Sequence, residues 1–558
     1  MAELWPFAAH GPVGEVLEWR TDVLQSAAAE QRLALRAAPH ETLTLTHRLD
    51  AAGLAQALAI ARRGMGSDWI VPLWQMAART VSDPQAGDTT LAVDTLSADY
   101  RAPGFAVLAT AGGPAQLVEI AAVRPDGLDL AAPLPAGLVA PVVAPARAGR
   151  LLAPLDISRT RAGLATVTAR FLLGDPADLS GLRGTALYVA IDTSGSMAGT
   201  KIAAAVAAVQ ALLGELGASV PPVLRNDLCL VLWNATVSGM EIRRDADQAD
   251  CAALAAWLAA SAAAGGGTDF AVALGPAPDF FAGAGTKRRV MLFLTDGEPS
   301  PTSSAAAAVA LRDTIADLEV FGFNIELANT TWTAMLDTTP SDGVPVIAPG
   351  DTGALRDTLL GALFGLPRHL GHDVLIDPSL LRQPLAETLA HPVEAVESGL
   401  GPVAFEPLRD LVARGSMITL KDRRPAAAWT RRRWLHRLRG RTGAFWLPSW
   451  GRELTLLAPA APGDTELLVA AGLDPAEWLG RSVLFDLPDG PLIRSITAAI
   501  YDALGLRLTV GALDRALPVT TPGHLLTLSR LDTDRIEIDH RPGGAELSLA
   551  TLEAPDPV

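Results

Sequence analysis

The chain contains few of the residues that carry covalent or redox chemistry. Its 558 residues include two cysteines, Cys229 and Cys251, so neither a disulfide framework nor a thiolate zinc site is expected. The nine histidines are scattered, and His369-Leu-Gly-His372 lacks a zinc-protease context, so we interpret it as part of a linker. No Gly-x-Ser-x-Gly elbow, phosphate-binding P-loop or dinucleotide fingerprint is found. These absences predict that the protein is not an enzyme.

Excess positive charge and long apolar runs are also missing. A net charge of −16 argues against nonspecific nucleic-acid binding. The first residues lack the basic start and apolar core of a signal peptide. The longest apolar stretches, such as 203–213, are too short to span a bilayer. We therefore expect a protein made in a reducing cytoplasm, without membrane insertion, whose length predicts two to four domains.

Oxygen-bearing side chains follow apolar runs at two places and lie on a glycine-rich loop at a third. Asp192-Thr-Ser194-Gly-Ser196 follows the run 186–191, Thr268 follows three glycines, and Asp296 follows a second apolar run. Hard cations prefer oxygen ligands, and the carboxyl ends of parallel strands share one crevice. The pattern predicts that five residues converge on a divalent cation, Mg²⁺ or else Mn²⁺ or Ca²⁺: Asp192, Ser194, Ser196, Thr268 and Asp296.

Strand-like and helix-like segments alternate around these residues. Apolar strands are predicted at 187–191, 228–233, 290–294 and 321–327, and helices at 201–216, 252–260 and 305–318. Such alternation is typical of parallel strands joined by crossover helices. A simpler alternative is that Asp192 and the serines only cap the helix that begins near Thr200.

The five-residue set resembles the metal-ion-dependent adhesion site of von Willebrand factor A domains, and all five positions of that pattern are filled. The resemblance covers residues 184–365 and implies a doubly wound, Rossmann-like parallel sheet. It also implies a bound Mg²⁺ or Mn²⁺ with an open coordination position, which a carboxylate of a partner fills in many relatives.

The regions on either side share an internal repeat. Trp69-Ile-Val-Pro-Leu-Trp74 matches Phe445-Trp-Leu-Pro-Ser-Trp450, and Gly-Asp-Thr and Gly-Leu-x-Leu strings recur at nearly the same offset. Each copy combines a short helix with short strands and Gly, Pro and Asp turns, which is typical of a β-rich module. We interpret the tryptophans as core residues rather than ligand contacts. The predicted domains are two related β-rich modules, 1–175 and 374–558, with the metal-binding domain 184–365 inserted between them.

The flanks resemble a group of tail proteins from long-tailed bacteriophages. The similarity lies in Glu15–Asp22, Glu30–Arg36, Phe445–Trp450, Leu525–Asp532 and Asp534–Ile538. It implies a structural component of the virion tail near its tip or baseplate, made in the host cytoplasm and in contact with other tail proteins. The inserted domain would then bind a partner or a host-surface receptor through its metal.

Two further interpretations follow from this organisation. Tandem copies of one module favour a homo-oligomer, with a trimer presenting six similar modules. The alternative function is a cellular adaptor in which a von Willebrand A domain works with an ATPase in complex remodelling or metal insertion. Such adaptors have no need of a duplicated tail-like module.

One basic stretch stands out from the acidic total. Residues 421–441 contain seven arginines between Lys421 and Arg441, interleaved with Trp429 and Trp434. We favour a subunit interface with an acidic neighbour, because arginine is enriched at interfaces. A solvated face and a nucleic-acid contact are the alternatives.

Overall fold

The computed structural model is mixed α/β with a large β-rich part. It describes residues 3–25, 30–110, 115–124, 126–161, 163–180, 184–217, 226–285, 287–338, 344–348, 351–378, 387–390, 393–396, 403–407, 413–470, 474–488 and 490–554. We call residues before 176 the first flank, 184–365 the central region, and residues after 365 the second flank.

The described part of the first flank is built mainly of short strands with one helix. In chain order its elements are β1 (Glu3–Leu4), β2 (Val13–Glu18), β3 (Thr21–Gln25), β4 (Glu30–Ala34), β5 (His40–Leu49), α1 (Ala51–Arg63), β6 (Asp68–Pro72), β7 (Ala78–Arg79), β8 (Thr90–Ala92), β9 (Gly104–Ala109), β10 (Gln116–Arg124), β11 (Gly127–Leu130), β12 (Val142–Leu151), β13 (Asp156–Arg161) and β14 (Leu164–Leu173). The helix α1 begins after Asp50, whose side chain accepts a hydrogen bond from the Gly53 amide.

Strands and helices alternate in the central region. Its elements are β15 (Thr185–Asp192), α2 (Thr200–Gly217), β16 (Asn226–Trp233), β17 (Val237–Ala246), α3 (Gln248–Ser261), α4 (Phe270–Leu274), α5 (Ala277–Ala282), β18 (Arg288–Thr295), α6 (Ser303–Asp313), β19 (Leu318–Ile325), α7 (Thr331–Leu336), β20 (Val346–Ile347) and α8 (Thr352–Phe364). The strands pair in the order β17-β16-β15-β18-β19-β20, all parallel except the antiparallel edge strand β17.

Helices cover both faces of this sheet. Side chains of α2, α3 and α8 pack on one face, and those of α4 to α7 pack on the other. Strands β15 and β16 are therefore buried along their whole length, which explains their continuous apolar sequence. One described helix, α2, is long and apolar enough to cross a membrane by length and composition alone. Leu212, Leu213 and Leu216 place it as a core helix of this domain.

The second flank contains the remaining elements. They are β21 (Arg368–His369), β22 (His372–Val374), β23 (Glu387–Ala390), β24 (Val393–Val396), β25 (Ala404–Pro407), β26 (Ala413–Asp422), α9 (Pro425–Leu438), β27 (Ala444–Pro448), β28 (Glu466–Val469), α10 (Pro475–Trp478), β29 (Ser482–Phe485), β30 (Leu492–Tyr501), β31 (Leu506–Val510), β32 (Gly523–Leu531), β33 (Arg535–Arg541) and β34 (Gly544–Glu553).

The strands of the two flanks pair in the same pattern. In the first, β12 lies against β6, β9 and β14; in the second, β32 lies against β27, β29 and β34. The register shifts after Ile120 in β10 and after Ile496 in β30, so even the bulge recurs. A Cβ on Gly127 would lie 2.4 Å from a carbonyl oxygen of β8, and one on Gly505 would lie 2.4 Å from a carbonyl oxygen of β28. This close backbone approach explains why glycine opens both Gly-Leu-x-Leu strings.

Strand β2 connects the two flanks into one sheet. It pairs with β5 of the first flank on one side and with β33 of the second flank on the other. Leu17 and Trp19 consequently belong to the hydrophobic core of the second flank, beside Trp434 and Ile536. Of the tryptophans in the repeated strings, Trp69 and Trp446 are buried, whereas Trp74 and Trp450 are half-buried and pack against the cores. The role predicted for these tryptophans, core packing, agrees with that burial.

Several arginines of residues 421–441 form ion pairs with carboxylates of the same chain. Arg432 is buried and pairs with Glu15 and, at 3.1 Å, with Glu41, both from the first flank. Arg437 pairs with Asp373 and Arg439 with Asp178, each at 3.0 Å. The predicted subunit interface is wrong for these three arginines, because their acidic partners come from distant segments of the same chain.

Candidate metal site

The first site loop leaves the middle of the central sheet. Strand β15 is paired on both sides, so its last residue, Asp192, is fully buried at the carboxyl edge. The Ser194 amide donates to Asp192 Oδ1 at 2.7 Å, and the Thr295 hydroxyl donates to Asp192 Oδ2 at 2.6 Å. These two bonds fix the carboxylate in one orientation.

Two hydroxyls connect this loop to the second carboxylate. Ser194 Oγ and Ser196 Oγ lie 3.0 Å apart, and Ser196 Oγ donates to Asp296 Oδ1 at 2.7 Å. Asp296 directly follows β18, the strand next to β15. A short 3-10 helix, Gly195–Met197, precedes α2, and the Ser194 side chain makes no cap hydrogen bond to it. The hydroxyl of Ser194 therefore lies in the cluster and does not cap this 3-10 helix.

The glycine-rich loop brings Thr268 to the same edge. The Gly195 amide donates to the Gly266 carbonyl at 3.0 Å, and the Ser300 amide donates to the Thr268 carbonyl at 2.7 Å. A Cβ on Gly297 would lie 3.0 Å from Thr268 Oγ1. Glycine at 297 therefore leaves the space that the threonine hydroxyl needs beside the Asp296 loop. The structure thus brings all five predicted residues to one rim of the sheet.

The electrostatics of the rim are set by burial and by one ammonium group. Burial raises the pKa of Asp192 to about 6, and the charge of Asp296 adds to this, against the lowering effect of the hydrogen bonds from Thr295 and Ser194. Lys201, in the first turn of α2, lies 2.7 Å from Asp296 Oδ2 and 2.6 Å from Glu326 Oε2. Desolvation lowers the pKa of Lys201, but its two carboxylate partners outweigh this and raise it.

Sequence reasoning missed two residues of this cluster. Thr295 ends an apolar strand and is fully buried, and a buried hydroxyl needs a hydrogen-bond partner. Lys201 is the first charged residue after the Asp192 loop. The polar residue at the end of an apolar run and the first charge after the Asp192 loop are both visible in the sequence, although neither position identifies the residue's partner.

The donor set suits a hard cation. Two carboxylates and three hydroxyls offer oxygen alone, as Mg²⁺, Mn²⁺ and Ca²⁺ prefer. Among the described residues, no group of three or more His, Cys, Asp or Glu side chains could hold a metal. The hydroxyls of Ser194, Ser196 and Thr268 would consequently be needed to complete any coordination at this rim.

The histidine pair near the end of the central region has a structural role. His369 and His372 lie in β21 and β22, not in a linker, and β22 pairs in parallel with β27. His369 Nε2 lies 2.8 Å from Ser482 Oγ, and burial lowers the pKa of His369 to about 4. The linker prediction is wrong here, because Trp446 of β27 and Ser482 of β29 hold this segment within the second flank.

Comparisons with known proteins give fold neighbours alone. The chain matches no protein-family model and no curated protein. Mussel byssus proximal thread matrix protein 1, solved with a zinc-occupied MIDAS motif, is 15% identical over 32% of this chain and 47% of that chain, with a TM-score of 0.25. The vWF domain of the type V pili tip protein Mfa5 from Porphyromonas gingivalis is 12% identical over 34% of this chain and 97% of that chain, with a TM-score of 0.27.

A von Willebrand factor type A protein from Catenulispora acidiphila is 13% identical over 66% of each chain, with a TM-score of 0.25. The structures similar to this chain thus include von Willebrand A domain proteins, and this chain spans about half the length of the mussel protein.

Proposed function

We propose that the central region binds a divalent cation, Mg²⁺ in the first place, and through it a carboxylate of a partner. The observation that carries this proposal is the hydrogen-bonded chain Ser194–Ser196–Asp296, which joins hydroxyls after β15 to the carboxylate after β18. Asp192, Ser194, Ser196, Thr268 and Asp296 would hold the ion. A bound cation would supply one electrophilic position for a carboxylate oxygen.

The chain's own residues prepare this rim for binding. Thr295 and the Ser194 amide orient Asp192, so the carboxylate need not reorganise when a cation arrives. Lys201 balances the charge of Asp296 until then. Ser196 is exposed, which leaves one side of the cluster open to a partner.

We favour binding over catalysis at this rim. Asp269 and Glu298 are the carboxylates close to the site in sequence that could act as a general base. The Asp269 side chain accepts from the Ala271 amide at 3.0 Å and caps the N-terminus of α4. Glu298 accepts from the Asn329 side chain at 2.7 Å. Both carboxylates already have structural hydrogen bonds.

We further propose that the two flanks form the frame of a bacteriophage tail tip or baseplate component. The central region would be a binding head inserted between two related modules. This assignment rests on the resemblance of the flank sequences to tail proteins, and the repeated strand pairing supports the duplication. The bound partner would be another tail protein or a host-surface receptor.

Titration calorimetry of the full chain with MgCl₂ tests the proposal. We expect one bound ion per chain, lost in Asp192→Ala and in Asp296→Ala. Asp313→Ala, an exposed carboxylate at the end of α6, is the matched control and should bind as the unchanged protein does. Equal binding by all four proteins, or no binding by the unchanged protein, would refute a cation site at this rim.

A further inference from the structure

The junction between the flanks has a counterpart that the described residues do not form within the chain. In the repeat, β23 corresponds to β2: Glu15 lies opposite Leu43 of β5, and Glu387 lies opposite Ser416 of β26. Strands β5 and β26 each lead directly into the helix of their module, α1 and α9. The two strands therefore occupy the same place in the two copies.

The receiving strand is repeated as well. In the second flank, Ile538 of β33 lies opposite Leu547 of β34, and β33 accepts β2 on its other edge. In the first flank, Ile157 of β13 lies opposite Val167 of β14. In the part of the chain that the structure describes, β13 pairs only with β14 and β23 pairs only with β26. Strand β23, the counterpart of β2, and strand β13, the counterpart of β33, thus each have one edge that no described strand pairs.

Apolar side chains are buried at the existing junction and exposed at its unpaired counterpart. Leu17 of β2 faces Ile536 and is fully buried, whereas Leu389, at the same place in β23, is 72% exposed. Ile538 is buried, whereas Ile157 and Leu155 are only partly buried at the edge of the first flank's core. An apolar side chain this exposed, on a strand edge that no described residue pairs, is a ready pairing surface.

We propose that β23 of one molecule pairs antiparallel with β13 of a second copy of this chain, head to tail. The register of the existing junction places Leu389 opposite Leu155 and Glu387 opposite Ile157. In the existing junction the Glu15 carboxylate lies 2.8 Å from His540 Nε2. The counterparts of that pair are Glu387 and Arg159, which are also opposite in charge.

The hairpins that follow these strands extend the same surface. After β2, Thr21 bonds to Asp534 of the second flank, which anchors the β3–β4 hairpin across the junction. The β24–β25 hairpin follows β23 in the same way and exposes 69% of Phe405. A second copy would cover it. The contact is heterologous, so repetition makes a ring when it closes, and three chains would contribute six modules. This inference is independent of the metal site.

Paired cysteines test the register. In the full chain, Leu389→Cys with Leu155→Cys should give disulfide-linked chains under mild oxidation, because directly opposed positions in antiparallel strands have the spacing of a disulfide. The matched control, Leu17→Cys with Ile536→Cys, should link within one chain and leave its mass unchanged. The native cysteines are buried and do not interfere. Linked chains in the control as well, or none in the test pair, would overturn the proposal.

Loss of assembly tests the surface itself. Native mass spectrometry should show a discrete oligomer for the unchanged chain, and Leu389→Asp should raise the dissociation constant about tenfold or more. Leu504→Asp changes an equally exposed leucine on the β30–β31 turn and should leave the oligomer intact. Circular dichroism should be unaltered in both, because neither side chain is buried in the single chain. A monomeric unchanged protein, or an unchanged oligomer in Leu389→Asp, would contradict the head-to-tail contact.

Discussion

The hydroxyl of Ser196 donates a 2.7 Å hydrogen bond to Asp296 Oδ1 across two loops that are far apart in sequence. Adjacent parallel strands, β15 and β18, deliver these loops to the same edge of the central sheet. Hydrogen bonds from neighbouring groups fix the carboxylates of Asp192 and Asp296 at this edge, so changing those groups should change cation binding.

Removing the hydroxyl that orients Asp192 should weaken cation binding. Thr295→Val deletes the 2.6 Å hydrogen bond to Asp192 Oδ2 and leaves the side-chain volume nearly unchanged. Groups that orient a metal ligand contribute about 10-fold to 100-fold in affinity, and we expect a loss in that range. Calorimetric titration with Mg²⁺ measures it. Thr314→Val, at the end of α6, is the control, and an equal loss there would mean that the effect is not local.

Removing the ammonium beside Asp296 should strengthen cation binding. Lys201 lies 2.7 Å from Asp296 Oδ2, so a cation at the rim is repelled by it. The side chain is 20% exposed and therefore partly screened, and we expect Lys201→Met to lower the Mg²⁺ dissociation constant about threefold to tenfold. Lys201→Arg should bind like the unchanged chain. Weaker binding by Lys201→Met would show that the lysine positions Asp296 instead.

Cation binding should depend on pH through Asp192. Burial raises the pKa of this carboxyl from 3.8 to about 6, and a metal binds the ionised form. Mg²⁺ affinity should therefore fall as the pH drops below about 6, with uptake of a proton by the released site. In the protein without metal, Asp192 affects folding stability, and the pH dependence has the opposite direction. Because the folded state binds the Asp192 proton more tightly than the unfolded state does, this group stabilises the fold increasingly as the pH falls from about 6 towards 3.8. A Mg²⁺ affinity that is flat between pH 7.5 and pH 5 would argue against Asp192 as a ligand.

The buried pair at the flank junction should govern acid stability. Burial alone raises the pKa of Glu15, but Arg432 and His540 outweigh it and lower the pKa from 4.5 to about 2. A lowered carboxyl pKa stabilises the fold fully above about 4.5, and this contribution disappears as the pH falls towards about 2. Glu15→Gln should lower the free energy of unfolding by about 1.5 to 3 kcal/mol, because it removes one of the two carboxylate partners of the buried Arg432.

Urea unfolding at pH 7 and at pH 3 measures this contribution. The variant should show a smaller loss between the two pH values than the unchanged chain. Glu537→Gln removes an exposed partner of Arg535 and should cost less than about 1 kcal/mol. A cost for Glu15→Gln as small as that of Glu537→Gln would rule out a stabilising role for the junction pair.

The strands of the central sheet could be predicted from sequence because they are continuous apolar runs. The polar contacts between distant segments could not be predicted in this way. Strands β15, β16 and β18 lie within three residues of the predicted runs, because buried parallel strands are continuously apolar. The predicted helix 305–318 ends earlier, at Asp313, because β19 already begins at Leu318. The edge strand β17 was missed, because nearly all of its residues are exposed or half-buried and form no apolar run.

The junction of the flanks was beyond prediction from sequence for a different reason. Glu15 meets Arg432 and His540, which are more than 400 positions away along the chain. No local pattern encodes such a pairing, so the arginine-rich stretch suggested an interface with another protein. The repeat in the sequence indicated two similar modules, and the strand pairing shows that one of them shares β2 with the other.

The position of a bound ion is the most direct test of the proposed cation site. Crystals of the full chain grown with MnCl₂ should give an anomalous peak surrounded by Asp192, Ser194, Ser196, Thr268 and Asp296, with the Lys201 ammonium displaced from Asp296. Crystals in which Mn²⁺ lies elsewhere and the Ser196–Asp296 hydrogen bond stays in place would contradict a cation site at this rim.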